Sequence, residues 1–134
     1  MARYIAFDWG KTRTGIAITD SSAIIASPHS TVLTSELNSI VKKLHNEEPC
    51  AGFIIGVPGL IVGLQTDSTV GIDNFINHLE FTYPYTPVHR VDESHTSSQA
   101  LDSLISGGMK KSKRREKGSL DKVSAALILQ RFLQ

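Results

Sequence analysis

An uninterrupted apolar run in the middle of the chain, residues 52–57, constrains the fold more than any other feature of the sequence. It reads Gly-Phe-Ile-Ile-Gly-Val and shows no alternation of apolar and polar side chains. A strand with one face in water alternates, whereas a strand covered on both faces is apolar throughout. The run therefore predicts a central strand in a sheet that has helices packed on both of its faces.

Other strands are predicted on either side of this run. Residues 3–8 are mostly apolar and residues 15–20 are rich in β-branched side chains, with a short glycine-containing loop between them. Strands joined in this way form an antiparallel hairpin. A third strand is predicted within residues 23–32, where Pro28 weakens it, and a last short strand within residues 87–91.

Helices fill the remaining chain. Apolar residues recur at helical spacing over residues 37–44, 72–79 and 100–105, and a final helix reaches the C-terminus. Ser35 and Ser119 are predicted as N-caps of the first and last helix. The order is three strands, helix, strand, helix, strand and two helices. It predicts an α/β fold with a mixed five-stranded sheet that starts with an antiparallel hairpin.

Length and composition limit the class of protein. The 134 residues suit one domain, predicted over residues 1–134. No run approaches the roughly 18 apolar residues of a membrane helix, so no membrane partner is expected. The single cysteine, Cys50, excludes an internal disulfide and a zinc site built from several thiolates. We therefore expect a reduced protein of the cytoplasm.

The charge is divided unevenly along the chain. Residues 1–109 carry 6 Lys and Arg against 11 Asp and Glu, a net −5, and residues 110–134 carry 8 against 2, a net +6, which together give the overall +1. A basic segment on an acidic body is typical of proteins that bind nucleic-acid phosphates, although a solvated loop has the same composition. We name as the basic block Lys110, Lys111, Lys113, Arg114, Arg115 and Lys117.

Three acids are candidates for a metal-binding catalytic centre because each falls where an element ends or is enclosed. Asp8 ends the first strand, Glu93 follows the last strand, and Asp121 lies on a final helix that is apolar on most sides. Each also has a plainer interpretation: a turn residue for Asp8, and a charge favourable to a helix dipole for Glu93 and Asp121. A carboxylate on an enclosed helix is costly unless it is paired or binds a cation, which favours a functional role for Asp121.

Three carboxylates from separate elements suit phosphodiester hydrolysis. The reaction must neutralise charge on the phosphoryl oxygens, activate water and stabilise the leaving oxygen, and divalent cations held by carboxylates do all three. Mg²⁺ and Mn²⁺ prefer oxygen ligands, with Mg²⁺ the favoured ion here. Two roles are open for Trp9, which follows the first acid: stacking on a base, or packing the loop. The five histidines show no metal-ligand spacing.

The motifs resemble, over nearly the whole chain, those of the YqgF/RuvX family, described as pre-16S rRNA nucleases and as Holliday-junction resolvase-like proteins. The opening Asp-x-Gly-x-x-Arg-x-Gly-x-Ala pattern is present at residues 8–17, and Gly56-x-Pro58 resembles the family's Gly-x-Pro loop. Asp92-Glu93 with Thr96, and the basic block with the closing helix around Asp121, follow in the family's order.

The resemblance implies an RNase H-like fold, with Asp8, Glu93 and Asp121 as metal-binding catalytic acids. It also implies a role in maturing the 5′ end of 16S rRNA, with ribosomal particles as candidate partners, and it makes Arg13 a residue that faces phosphate near the first acid. Three positions depart from the family pattern: Ser94, where a basic residue is usual, and Leu60 and Val62, where polar residues are usual.

Three rival functions share parts of these signals. A Holliday-junction resolvase would use the same acids on branched DNA and would require a symmetric dimer, whereas a monomer is favoured here. A non-catalytic nucleic-acid-binding protein would use the basic block alone. A phosphotransferase-like domain is suggested by Asp8-x-Gly10, but such enzymes need two domains around a nucleotide and this length supplies one.

Overall fold

The computed structural model describes residues 3–20, 22–23, 25–57, 67–92 and 117–133. The helix predicted around residues 100–105 and the loop that follows Val57 lie outside these ranges. In chain order the strands are β1 (Arg3–Asp8), β2 (Arg13–Thr19), β3 (Ala26–Leu33), β4 (Cys50–Val57) and β5 (Val88–Asp92). The α-helices are α1 (Leu37–Glu47), which follows a 3-10 turn at Thr34–Glu36, α2 (Asp67–Thr82) and α3 (Lys117–Leu133).

The five strands form one mixed sheet in the order β3-β2-β1-β4-β5. β1 and β2 pair antiparallel, as do β2 and β3, whereas β4 is parallel to both β1 and β5. The mixed five-stranded sheet with its N-terminal hairpin is therefore confirmed. Because β1, β4 and β5 run in the same direction, their carboxyl ends lie at one edge of the sheet.

Helices cover both faces of this sheet. On one face α1 and α2 pack over Ile5, Phe7, Phe53 and Ile55, and on the other α3 packs over Ala6, Ala17 and Ile54. The three consecutive residues Phe53, Ile54 and Ile55 are all fully buried. This burial on alternate faces is what the apolar run at residues 52–57 predicted.

The predicted N-caps are wrong. The first α-helix begins at Leu37 through the 3-10 turn, with no side-chain cap, because Thr34 ties this turn to the β1–β2 loop. The backbone N–H of Thr34 donates to the Thr12 carbonyl over 2.9 Å, and its hydroxyl donates to the Gly10 carbonyl. Helix α3 begins at Lys117, so Ser119 already lies inside the helix.

The third strand starts three residues later than predicted and runs to Leu33. Pro28 is tolerated in it because β3 is the edge strand and the ladder to β2 shifts register next to the Ala17–Pro28 pair. Within the described residues, no helix has the length and apolar character needed to span a membrane.

Candidate active site

Asp8 is the last residue of β1 and lies at the edge where the parallel strands end. Its neighbour Phe7 faces α1 and α2, and Ala6 faces α3. Because successive side chains of a strand alternate, Asp8 shares the α3 face with Ala6. Across the hairpin its partner is Gly15 of β2. The first candidate acid is thus half-buried at the end of a fully buried strand.

Helix α3 lies directly on Gly15, and this contact brings in the second acid. A Cβ atom built on Gly15 would stand 2.0 Å from the backbone oxygen of Asp121 and 2.8 Å from the backbone nitrogen of Lys122. Only a glycine lets the helix backbone approach the strand so closely. Since Gly15 pairs with Asp8, Asp121 is held beside the end of β1 on the same face of the sheet.

Arg13, the first residue of β2, forms an ion pair with Asp121. Its Nε lies 3.3 Å from Oδ2 of Asp121, and the side chains are 37% and 26% exposed. The pair joins residues 108 positions apart in the chain. The sequence predicted that a carboxylate on α3 needs a partner, and Arg13 is that partner in this structure. Arg13 therefore contacts one candidate acid, Asp121, and lies two residues before Gly15, the strand partner of Asp8.

Glu93 lies just outside the described residues. It follows Asp92, where β5 ends, and the backbone carbonyl of Asp92 accepts a 2.6 Å hydrogen bond from Nη1 of Arg131 on α3. Strand β4 separates β1 from β5, so about 10 Å lies between the ends of these two strands. The described chain therefore brings two of the three predicted acids together, and it ends beside the third.

No group of three or more His, Cys, Asp or Glu side chains that could hold a metal ion occurs within the described ranges. The described oxygen donors of the site are the carboxylates of Asp8 and Asp121. The basic block also falls outside the described residues, apart from Lys117, whose backbone begins α3. The prediction that these lysines and arginines contact nucleic acid stays a prediction.

Two positioning features were missed at the sequence level. The first is Gly15, which allows the backbone of α3 to contact β2. Its place in the opening motif could have indicated this role. The other is a pair of threonines: the hydroxyls of Thr14 and Thr34 lie 2.9 Å apart, and Thr34 also donates to the Gly10 carbonyl. Together they fix the loop that leaves Asp8, and no local sequence pattern indicates such a contact.

The architecture is an RNase H-like α/β fold that is similar to the fold of RuvC. A solved structure with a TM-score of 0.58 is described as T. thermophilus RuvC in complex with Holliday junction substrate. It covers 96% of this chain and 92% of that protein at 14% sequence identity, so the likeness is one of fold. The predicted fold class is confirmed.

Sequence comparison then assigns the family. Residues 2–134 match the family RuvX, described as Holliday junction resolvase. A relative from Christiangramia forsetii, named "Putative pre-16S rRNA nuclease", is 40% identical over 133 residues, which cover 99% of this chain and 98% of the relative. One of the same name from Phocaeicola vulgatus is 38% identical over 134 residues, covering 100% and 96%. The chain belongs to the RuvX family.

Membership in this family confirms the predicted class of enzyme. The protein is a nuclease, a hydrolase that cleaves phosphodiester bonds, and its substrate is nucleic acid.

Proposed function

We propose that this protein is a divalent-metal-dependent nuclease that uses Asp8, Glu93 and Asp121 as its catalytic acids, in one domain over residues 1–134. The observation that carries the proposal is the position of Gly15. This residue pairs with Asp8 in the sheet and contacts the backbone of Asp121 on α3. Glu93 is assigned as the third acid because it directly follows β5, whose end lies at the same edge of the sheet. The family resemblance supports all three assignments.

The residues present fit a hard divalent cation. Asp8 and Asp121 offer carboxylate oxygens, which Mg²⁺ and Mn²⁺ prefer, and neither residue is fully buried. Mg²⁺ is the proposed ion, with Glu93 as the third ligand. When bound, such an ion neutralises charge on the phosphoryl oxygens and lowers the pKa of coordinated water. The protein contributes rigidity, because Asp8 and Asp121 are carried by a buried strand and a packed helix.

Arg13 is proposed to bind the phosphate of the substrate. Its guanidinium group now neutralises Asp121 at 3.3 Å. A guanidinium group binds phosphate oxygens in the same two-pronged geometry that it uses for carboxylates. Because the pair is partly exposed, it is weak enough to be exchanged. Binding of the acids to a cation would release Arg13 toward the phosphodiester, beside the bond that is cut.

Precursor 16S rRNA is the proposed substrate, with cutting in the maturation of its 5′ end in the cytoplasm, where ribosomal particles are the proposed partner. The name shared by relatives at 35–40% identity supports this choice. The basic block, rich in lysine and arginine, would hold the RNA backbone outside the catalytic centre. We propose that the protein acts as a monomer.

A Holliday-junction resolvase is the second candidate, because the matched family and the solved RuvC structure are both described by that substrate. Resolution requires two coordinated cuts and hence a symmetric dimer. Measuring the mass in solution, and comparing cleavage of a precursor 16S rRNA fragment with that of a four-way junction, separates the candidates. A dimer that cuts only the junction supports the resolvase.

The test of the proposed function is metal-dependent cleavage of a precursor 16S rRNA fragment, with Mg²⁺ or Mn²⁺ and with EDTA. The wild-type protein is compared with Asp8→Asn and Asp121→Asn, which keep the shape of each side chain and remove its charge. Asp73→Asn is the matched control because Asp73 is an exposed acid on α2, on the opposite side of the sheet.

We expect both site variants to lose cleavage and the control to keep it. Circular dichroism and thermal unfolding check that all variants are folded. Cleavage by folded Asp8→Asn at the wild-type rate would overturn the catalytic role of Asp8. If the wild-type protein binds RNA and cuts neither RNA nor junction with either ion, the protein is a non-catalytic nucleic-acid-binding protein.

A further inference from the structure

A small cavity lies on the side of the sheet opposite α3, between the end of β1 and the helices α1 and α2. Its volume is about 270 Å³. Cavities that bind drug-sized molecules hold roughly 300–1,000 Å³, so this one is suited to a single small ring system. Trp9, Asn38, Asn74 and His78 form polar and aromatic walls, and Leu37 and Phe75 are apolar.

The indole of Trp9 is held in the cavity wall by a glycine of α2. A Cβ atom on Gly71 would stand 2.0 to 2.7 Å from three carbons of the indole, so the outer ring of Trp9 rests on the helix backbone. Trp9 also packs against the core formed by α1 and α2, yet it is not fully buried. A large aromatic surface is therefore fixed in place and remains accessible from the cavity.

The chemistry of the walls selects an uncharged, planar, hydrogen-bonding group. None of the described residues that line the cavity is a lysine, arginine, aspartate or glutamate. Such a lining has no lysine or arginine to pair with a phosphate group, although His78 and the amides can donate hydrogen bonds. The amides of Asn38 and Asn74 each have donors and an acceptor, as the edges of nucleobases do. Unpaired bases are recognised by stacking on aromatic rings and by hydrogen bonds to their edges.

The cavity adjoins the catalytic end of β1. Trp9 directly follows Asp8, so their Cα atoms are about 3.8 Å apart. Asp8 faces α3 and Trp9 faces α1 and α2, on opposite sides of the sheet edge. Thr34, which lines the cavity, binds the carbonyl of Gly10 and fixes the backbone just after Trp9. A nucleic-acid strand that crossed this edge would present a phosphate to Asp8 on one side and a neighbouring base to Trp9 on the other.

We propose that the cavity binds one unpaired nucleobase of the substrate, next to the phosphodiester that is cut, with Trp9 as the stacking surface. The location relative to the cut rests on the proposed catalytic role of Asp8. The consequence is that this base must be unpaired when it binds, either in a single strand or flipped out of a duplex, since a paired base cannot enter the cavity.

Intrinsic fluorescence tests this site directly, because Trp9 is the only tryptophan of the chain. The wild-type protein in EDTA, which prevents cutting, is titrated with a short fluorescein-labelled oligoadenylate. Anisotropy of the label reports binding, and tryptophan emission from an unlabelled oligomer of the same sequence reports stacking. A second series of oligomers carries one abasic nucleotide at successive positions.

We expect the oligomer to quench Trp9, and an abasic nucleotide to remove the quenching at one position while anisotropy still reports binding. Asn74→Ala should weaken binding about fivefold through loss of a hydrogen bond. Asn77→Ala is the matched control, because Asn77 is also an exposed asparagine of α2 and does not line the cavity. The same series in DNA identifies whether an RNA or a DNA base is taken, and quenching by either supports the site.

Binding without quenching, together with equal affinities of Asn74→Ala and Asn77→Ala, would overturn the base site. Cleavage of precursor RNA by the same preparation would then still support the proposed function. The opposite result is also distinguishable: quenching that depends on one base, in a protein that does not cut, supports the site and overturns the nuclease mechanism. Absence of any binding or cutting overturns both.

Discussion

Replacing Gly15 with alanine perturbs the contact that brings the two described acids together. The new Cβ would lie 2.0 Å from the backbone oxygen of Asp121, whereas ordinary contact begins at 3.4 Å. Strand β2 and helix α3 must therefore move apart by about 1.4 Å at this point, because backbone atoms cannot rotate out of the way as a side chain can. The displacement falls on Asp121 itself.

The expected cost in stability is modest and the expected cost in activity is large. Overpacking of a core costs about 1–3 kcal/mol, and the lower chain entropy of alanine in the unfolded state offsets about 0.4–1 kcal/mol of it. The free energy of unfolding should fall by at most about 2.6 kcal/mol, the difference between these two ranges, and Tm should fall with it by up to several degrees. Misplacing a catalytic group by about 1 Å can cost about 100-fold in rate, so kcat/KM should fall by that order.

Thermal unfolding and cleavage of the precursor rRNA fragment measure the two effects. Gly52→Ala is the control: its Cβ would meet the ring of Tyr4 at 2.9 Å, which a side chain can relieve, and it lies toward the amino-terminal end of β4, away from Asp8. We expect this variant to be destabilised and to keep its activity. Equal activities of the Gly15 and Gly52 variants would refute the role of the Gly15 contact in placing Asp121.

Three further predictions concern charge and burial. Arg13→Gln should change the free energy of unfolding by less than about 1 kcal/mol, since the ion pair with Asp121 is partly exposed. It should also lower the salt dependence of RNA binding by about one phosphate contact. A large loss of stability without a change in RNA binding would contradict the proposed role of Arg13. Replacing Lys113, Arg114 and Arg115 of the basic block with glutamine should weaken RNA binding and flatten its dependence on salt, as measured by anisotropy. Unaltered affinity would mean that the block is only a solvated surface. Burial raises the pKa of Cys50 to about 11, so iodoacetamide at pH 8 should label this thiol only after denaturant is added. The folded pKa exceeds the ordinary 9.0, so the thiol stabilises the fold below pH 9 and loses that contribution as the pH rises toward 11; rapid labelling of the native protein would contradict the burial.

The sheet was predictable because its signals are local. The apolar run at residues 52–57 indicated burial on both faces, and the glycine-containing loop after Asp8 indicated the hairpin. The helix starts were not predictable from local signals. Ser35 is of a residue type that often caps helices, but the first turn is fixed instead by Thr34, which binds the loop residues Gly10 and Thr12. That contact depends on the fold.

In the candidate site, too, the features with local sequence signals were predictable and those that depend on the fold were not. Strand ends indicated Asp8, and the apolar surroundings of Asp121 indicated a paired carboxylate. The identity of the partner, Arg13, could not be read from the sequence because the two residues are 108 positions apart. The sequence also left open whether Trp9 stacks on a base or packs a loop. In the structure the indole of Trp9 packs against Gly71 and also lines a cavity.

The site is built from a hairpin near one end of the chain and a helix near the other, and this has a consequence during translation. A nascent chain that stops before residue 117 has Asp8 and Arg13, but it has neither Asp121 nor the helix that buries Ala6, Ala17 and Ile54. Such a chain exposes an apolar sheet face and holds an incomplete set of acids. If Asp8 and Asp121 act as proposed, a growing chain has no nuclease activity before α3 has been synthesised and has docked on the sheet.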